Sequence, residues 1–180
     1  MPAKNRIRVA AAAATLAVAL TAPSHALAAA GCAYANANPN DITQKQSAQA
    51  TLCLLNRQRR AHGLKKLRDN SRLDLASRRH ANDMARRNYF AHGDFVGRIR
   101  AAHYLSGANR GYTLGENIAW GSWDYATPAA IVDGWMHSPG HRANILNGRF
   151  HEIGLGVARG APVGGQSRGG TYVTDFGTRF

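Results

Sequence analysis

Glutamate is nearly missing from this chain. Only Glu116 and Glu152 occur among 180 residues, and all acidic residues together number 10 against 23 lysines and arginines. A reaction that needs carboxylate ligands and a separate glutamate base in one place therefore has little to draw on. Long apolar runs are also absent beyond the first thirty residues. No later segment approaches the roughly 20 apolar residues that a membrane-spanning helix requires, which excludes a transmembrane segment there. No internal repeat or interdomain linker interrupts the chain, and no glycine-rich phosphate loop sits between a strand and a helix. The arginines are scattered over several segments, without a nucleic-acid-binding motif or a basic stripe interleaved with aromatics, so nucleic acid is not an expected partner.

The residues that are present begin with a leader. Lys4, Arg6 and Arg8 precede an apolar, alanine-rich run over residues 9–22 and small residues ending at Ala30, the pattern of a secretory signal peptide over residues 1–30. The remaining 150 residues suffice for one domain with a core of its own, divided into an N-terminal segment over 31–46 and the main domain over 47–180. The expected location is secreted and extracellular, and the expected state is a monomer. Removing the leader takes three basic and no acidic residues, leaving a net charge of +10 with histidines neutral. Outside a cell such a charge favours anionic partners, among them wall polymers, phospholipid headgroups and acidic glycans. A solvated surface kept soluble by its charge is the plainer alternative. Cys32 and Cys53 are the only cysteines, and in an oxidising environment an even count predicts a disulfide. The stretch AAAGC (28–32) resembles a lipoprotein cleavage box, but Ala29 replaces the usual bulky aliphatic residue, and lipidation of Cys32 would strand Cys53.

Periodicity places the elements. Ala48, Leu52 and Leu55 predict a helix over 45–62 with Gly63 at its end. A second begins at Ser71 as N-cap and carries Leu73, Ala76, His80 and Met84 on its apolar stripe, which makes His80 a hydrogen-bonded core residue. A short third helix is expected over 98–104, before a glycine-punctuated loop over 107–115. Thr127 and Pro128 start a fourth, with Ile131, Val132, Trp135 and Met136 on one face. Two strands follow, over 152–159 and 171–176, joined by the glycine-rich loop 160–170. Helices around a small, mostly antiparallel sheet fit this order.

The stretch WMHSPGHRANILN (135–147) places His137 and His141 four residues apart. Pro139 and Gly140 argue against one continuous helix through both. Ser138 as N-cap with Pro139 at the first helical position leaves His137 outside and His141 on the first turn. No glutamate follows His137, so the HExxH arrangement of a metalloprotease is absent. Ser138 is a poor nucleophile, because a cap serine spends its oxygen on backbone amides and no strand-to-helix elbow surrounds it. Glu116 lies in GENIAWG, off any polar helix face, and His92 follows aromatic residues in NYFAH. With His141 they form two imidazoles and a carboxylate from distant segments, a set suited to zinc or another divalent ion. The alternative is structural, with Glu116 satisfying buried amides and each histidine bonding a carbonyl.

NYFAH (88–92), GENIAWG (115–121) and WMHSPGHRANILN (135–147), in that order and followed by IGLGVA and TDFG, resemble the bacterial branch of the CAP superfamily. That superfamily includes cysteine-rich secretory proteins, antigen 5 and plant pathogenesis-related proteins. The resemblance covers roughly residues 50–177. It implies an α+β fold, an α-β-α sandwich with a central, mostly antiparallel sheet flanked by helices, and one open cavity. It also implies that His92, Glu116 and His141 occupy three of four cavity positions, where two histidines hold a divalent metal. The fourth, a second glutamate near the tryptophan helix, has no counterpart, since no acidic residue lies between Trp135 and His141. Two functions follow as expectations. One is a secreted binding module for a lipid, a cell-wall polymer or another anionic ligand at this cavity. The other is a metal-dependent, peptidase-like hydrolase with His92 and His141 as ligands and Glu116 as general base.

Overall fold

The structure, a computed structural model, describes residues 31–108 and 110–180; the expected leader, residues 1–30, lies outside them. The elements run α1 (Gln44–Ala61), β1 (Arg68–Asp69), α2 (Ser71–Arg87), α3 (Phe95–Ala101) and β2 (Tyr112–Ser122), then a single 3₁₀ turn (Trp123–Ala126). They continue with α4 (Pro128–Met136), α5 (Pro139–Ile145), β3 (Glu152–Arg159) and β4 (Gly169–Arg179). The four strands form one sheet in the order β1-β3-β4-β2, antiparallel except for the short β1–β3 pairing. The expected α+β sandwich is what forms.

The alternation IGLGVA explains the layers. Ile153, Leu155 and Val157 point to one face, where they join Leu54 and Leu55 of α1, Ile131, Val132 and Trp135 of α4, and Ile145 of α5. Gly154 and Gly156 point to the other, and there α2 lies directly on the strand. A Cβ on Gly154 would stand 2.0 Å from the Leu73 carbonyl carbon, and one on Gly156 2.2 Å from Ser77. Only glycine permits that approach. The sheet is thus sandwiched between α2 with α3 on one side and α1, α4 and α5 on the other.

Local chemistry sets the helix ends. Thr43 and Gln46 cap α1 reciprocally: the Thr43 hydroxyl accepts from the Gln46 amide at 3.1 Å, and the Gln46 side chain accepts from the Thr43 amide at 2.9 Å. Cys32 is joined to Cys53 as expected, which ties the N-terminal turns to α1. The buried face of α1 centres on Ala50, Leu54 and Leu55 rather than the expected stripe. Ala48 and Leu52 are only partly covered, because they line a cavity of about 730 Å³ where β3 runs on past the end of β1. The N-cap of α2 is Asn70, not Ser71, with its side-chain oxygen accepting from the amides of Arg72 and Leu73. The third helix starts three residues earlier than expected, since Asp94 accepts from the Gly97 amide at 2.8 Å and caps it. The largest difference is β2. The segment expected as a loop up to Gly115 enters a strand at Tyr112 that runs through the whole of GENIAWG.

Candidate functional site

β2 is an edge strand, and an exposed edge leaves unpaired backbone groups. Side chains from α4 and α5 fill them. The Trp135 indole donates to the Ile118 carbonyl at 3.2 Å, and the Asn144 amide donates to the Glu116 carbonyl at 3.2 Å and to Asn117 Oδ1 at 2.9 Å. Asn117 in turn donates to the His141 carbonyl at 3.0 Å. Gly115 allows the approach, as a Cβ there would come within 2.9 Å of the Phe150 ring. These bonds seat His141 beside Glu116. The break between the helices falls where proline predicts it: His137 ends α4 and Pro139 begins α5. Ser138 does not act as expected, because its hydroxyl makes no capping bond. It lines a groove instead, and it has no hydrogen-bonded base among the described residues.

Glu116 is buried, with its side chain 1% exposed, and both its oxygens are engaged. Oε1 meets His92 Nδ1 at 2.8 Å. Oε2 accepts from Arg98 Nη2, while Arg98 Nη1 donates to the His92 carbonyl at 2.8 Å. The carboxylate therefore orients the His92 ring, and the guanidinium holds both the carboxylate and the loop that carries the ring. His92 itself is 53% exposed, and its Nε2 makes no hydrogen bond among the described residues. Across the sheet Glu116 is in register with Asp175 of β4. Burial, then the nearby Glu116 charge, push the Asp175 carboxyl well above its ordinary range, against a hydrogen bond from Ser77 at 2.7 Å. Burial and the nearness of His92 lower the His141 pKa, which favours its neutral imidazole. His80 is a buried core residue as expected, bonded to the Ala91 carbonyl at 3.0 Å, with burial lowering its pKa.

His92 of the α2–α3 loop and Glu116 of β2 thus come into direct contact, and His141 of α5 lies near enough for His92 to act on its charge state. Beside them lies a groove of about 400 Å³ with an apolar floor of Ile118, Ile131 and Trp135, bordered by Phe90, Trp120 and His141. Among the described residues no group of three or more His, Cys, Asp or Glu side chains is placed to hold a metal. Sequence reasoning missed Arg98, Asn117, Asn144 and Asp175. Asp175 left a signal, a carboxylate inside the apolar strand motif TDFG. Asn117 and Asn144 left another, since both lie inside stretches already singled out. Arg98 left none, being one arginine among many.

Residues 52–175 match the family model described as the cysteine-rich secretory protein family, CAP. The chain belongs to that family. It is 36% identical over 110 residues to the uncharacterized protein YkwD of Bacillus subtilis, covering 61% of this chain and 42% of that one. It is 34% identical over 121 residues to the uncharacterized membrane protein YlbC of the same organism, covering 64% and 33%. The chain therefore matches less than half the length of either relative. Among solved structures, an extracellular protein containing an SCP domain from Bacillus anthracis superposes with a TM-score of 0.55 at 26% identity, covering 75% of this chain and 43% of that one. An outer surface protein from Borrelia burgdorferi superposes with a TM-score of 0.62 at 19% identity, covering 77% and 97%, a likeness of fold alone.

Proposed function

We propose that this chain works outside the cell as a binding protein. Its ligand, a lipid, a cell-wall polymer or another anionic molecule, is taken up where the apolar groove meets His92 and His141. The leader composition supports the location, as does the likeness to the extracellular protein from Bacillus anthracis. No helix among the described residues is long and apolar enough to cross a membrane. The observation that carries binding over hydrolysis is the double engagement of Glu116. A general base needs a carboxylate free to take a proton from water, and here one oxygen meets His92 and the other accepts from Arg98.

The donor set fits a weakly held divalent ion such as zinc. One imidazole is oriented through Nδ1 by a buried carboxylate, the usual outer-shell partner of a metal-binding histidine, and the other favours its neutral form. His92 and His141 would hold the ion, with Glu116 orienting His92 rather than coordinating. A bound ion would supply a Lewis-acidic contact for an anionic group of the ligand.

Calorimetric zinc titration of the mature protein tests this. Binding should vanish in His92→Ala and in His141→Ala with the fold intact. Glu116→Gln should weaken it by about 10- to 100-fold, the range for outer-shell partners. Affinity should fall on acidification through the histidine range as protons compete. Zinc binding that survives both histidine changes refutes the site.

A further inference from the structure

The arginines that are scattered in the sequence are gathered by the fold. Arg78, Arg79 and Arg86 of α2 and Arg98 of α3 line one open groove of about 580 Å³, with Tyr89 in its wall. Arg78, Arg79 and Arg86 are exposed and make no ion pair among the described residues. The acid that lines the groove, Asp83, is already engaged by the Tyr89 hydroxyl at 2.7 Å and by Arg87 at 3.6 Å. Arg98 faces the groove while two of its nitrogens hold Glu116 and the His92 carbonyl; its Nε is buried without a partner. The unspent positive charge is that of Arg78, Arg79 and Arg86, all on α2, a helix that carries neither His92 nor His141.

Its layout selects the ligand. Arg79 and Arg86 are seven residues apart on a helix, so they share a face and their backbones are separated by about 10 Å at 1.5 Å per residue. That spacing suits successive charges on an extended chain better than one small anion. At one end the groove shares Gln44 and Arg78 with the larger cavity beside β3, where Lys45 and Arg159 add cations but Asp69 and Asp74 add acids, so the unmixed basic lining ends there. Every cation that lines the groove itself, His80 aside, is an arginine, whose planar fork matches a phosphate through paired hydrogen bonds. Stacked bases would need a run of exposed aromatic faces, and Tyr89 is half-buried and tied to Asp83. We propose that this groove binds an extended phosphodiester polymer without bases, a poly(alditol phosphate) of the kind carried on cell envelopes.

Fluorescence anisotropy with a labelled poly(glycerol phosphate), repeated across salt concentrations, tests it. Three or four phosphate contacts predict a log–log salt slope of about −2 to −3, taking the single-strand coefficient of about 0.7 per contact. The double change Arg79→Ala with Arg86→Ala removes two exposed, unpaired side chains, so the fold should be kept. It should weaken binding about tenfold or more and flatten the slope by about 1.4. Arg60→Ala with Arg149→Ala removes the same charge from exposed positions outside the groove and should leave affinity within about twofold. An equal loss in this control overturns the site in favour of diffuse charge, and absent binding overturns it outright. A single-stranded oligonucleotide of equal charge that binds as tightly would replace the proposed ligand with nucleic acid. Displacement by inorganic phosphate at matched charge would reduce the groove to a single-anion site. Zinc titration of the groove variant should match the unmodified protein, so failure of the histidine site and failure of this groove are read separately.

Discussion

Replacing Arg98 by methionine tests the claim that the Glu116 carboxylate is held at both oxygens. The change keeps an unbranched chain of similar reach and removes the guanidinium. Glu116, 1% exposed, would keep only His92, and the His92 carbonyl would lose its donor. Breaking one side of a buried pair costs 3–5 kcal/mol. Since Arg98 is 22% exposed, the low end applies, about 3 kcal/mol. For a domain of this size that is a drop of about 6–12 °C in Tm, at roughly 2–4 °C per kcal/mol. Urea unfolding at neutral pH gives the free energy directly. Glu116→Gln supplies the second corner of a cycle, because a neutral amide in the same place has no charge to strand. The double variant should be more stable than additivity predicts by at least about 1 kcal/mol, as contacting charged groups couple. Strict additivity, or a loss below about 1 kcal/mol for Arg98→Met, would refute the reasoning.

Other expectations are as direct. Intact-mass measurement of the secreted protein should show removal of the leader and the loss of two hydrogens; Cys53→Ser should cost about 3 kcal/mol in the chain-entropy treatment of a loop this long, and a diacylglycerol adduct on Cys32 would contradict the pairing. Gly154→Ala should destabilise by about 3 kcal/mol or more, the top of the overpacking range, because its neighbour is helix backbone that cannot swing aside. Gly134→Ala, inside α4 with nothing within 4 Å of the added carbon, should instead stabilise by about 0.5–1 kcal/mol. Burial pushes the Asp74 carboxyl up to about 6, so the folded protein retains a proton that the unfolded chain gives up near pH 4. Stability from this group is then full below about pH 4 and is lost as pH rises to about 6. Asp74→Asn keeps an acceptor for the Leu155 amide and should erase that slope in pH-dependent urea unfolding while raising stability at pH 8.

What could be read in advance was what is local. Thr127 with Pro128, and Gly63 after α1, act through bonds or backbone angles within a few residues, and they sit where expected. Leu73, Ala76, His80 and Met84 follow the helical period and are all buried. β2 was hidden because its own residues do not alternate cleanly. Gly115 and Gly121 are there for close approaches to Phe150 and to the Tyr125 backbone, and Asn117 is there to bond α5. Those reasons lie 24 or more residues away for all but Gly121, so no window along the chain contains them.

The site divides along the same line. His92, Glu116 and His141 were visible because their motifs are contiguous, whereas the groups that set their states were not. Asp175 shows why this matters. As a carboxylate in register with Glu116, it invites comparison with the missing second glutamate of the cavity. Its bonding denies that role: its carboxylate accepts from the Ser77 hydroxyl of α2, while Glu116 is the carboxylate that meets His92. Two ionised carboxylates so close would repel in a medium that screens poorly, and the pair is relieved by pushing the proton onto the more deeply buried member. Asp175 therefore favours the acid form, while the Glu116 carboxyl is met by Arg98 and His92. One carboxylate orients one imidazole, and the second imidazole, on α5, favours its neutral form beside an apolar groove.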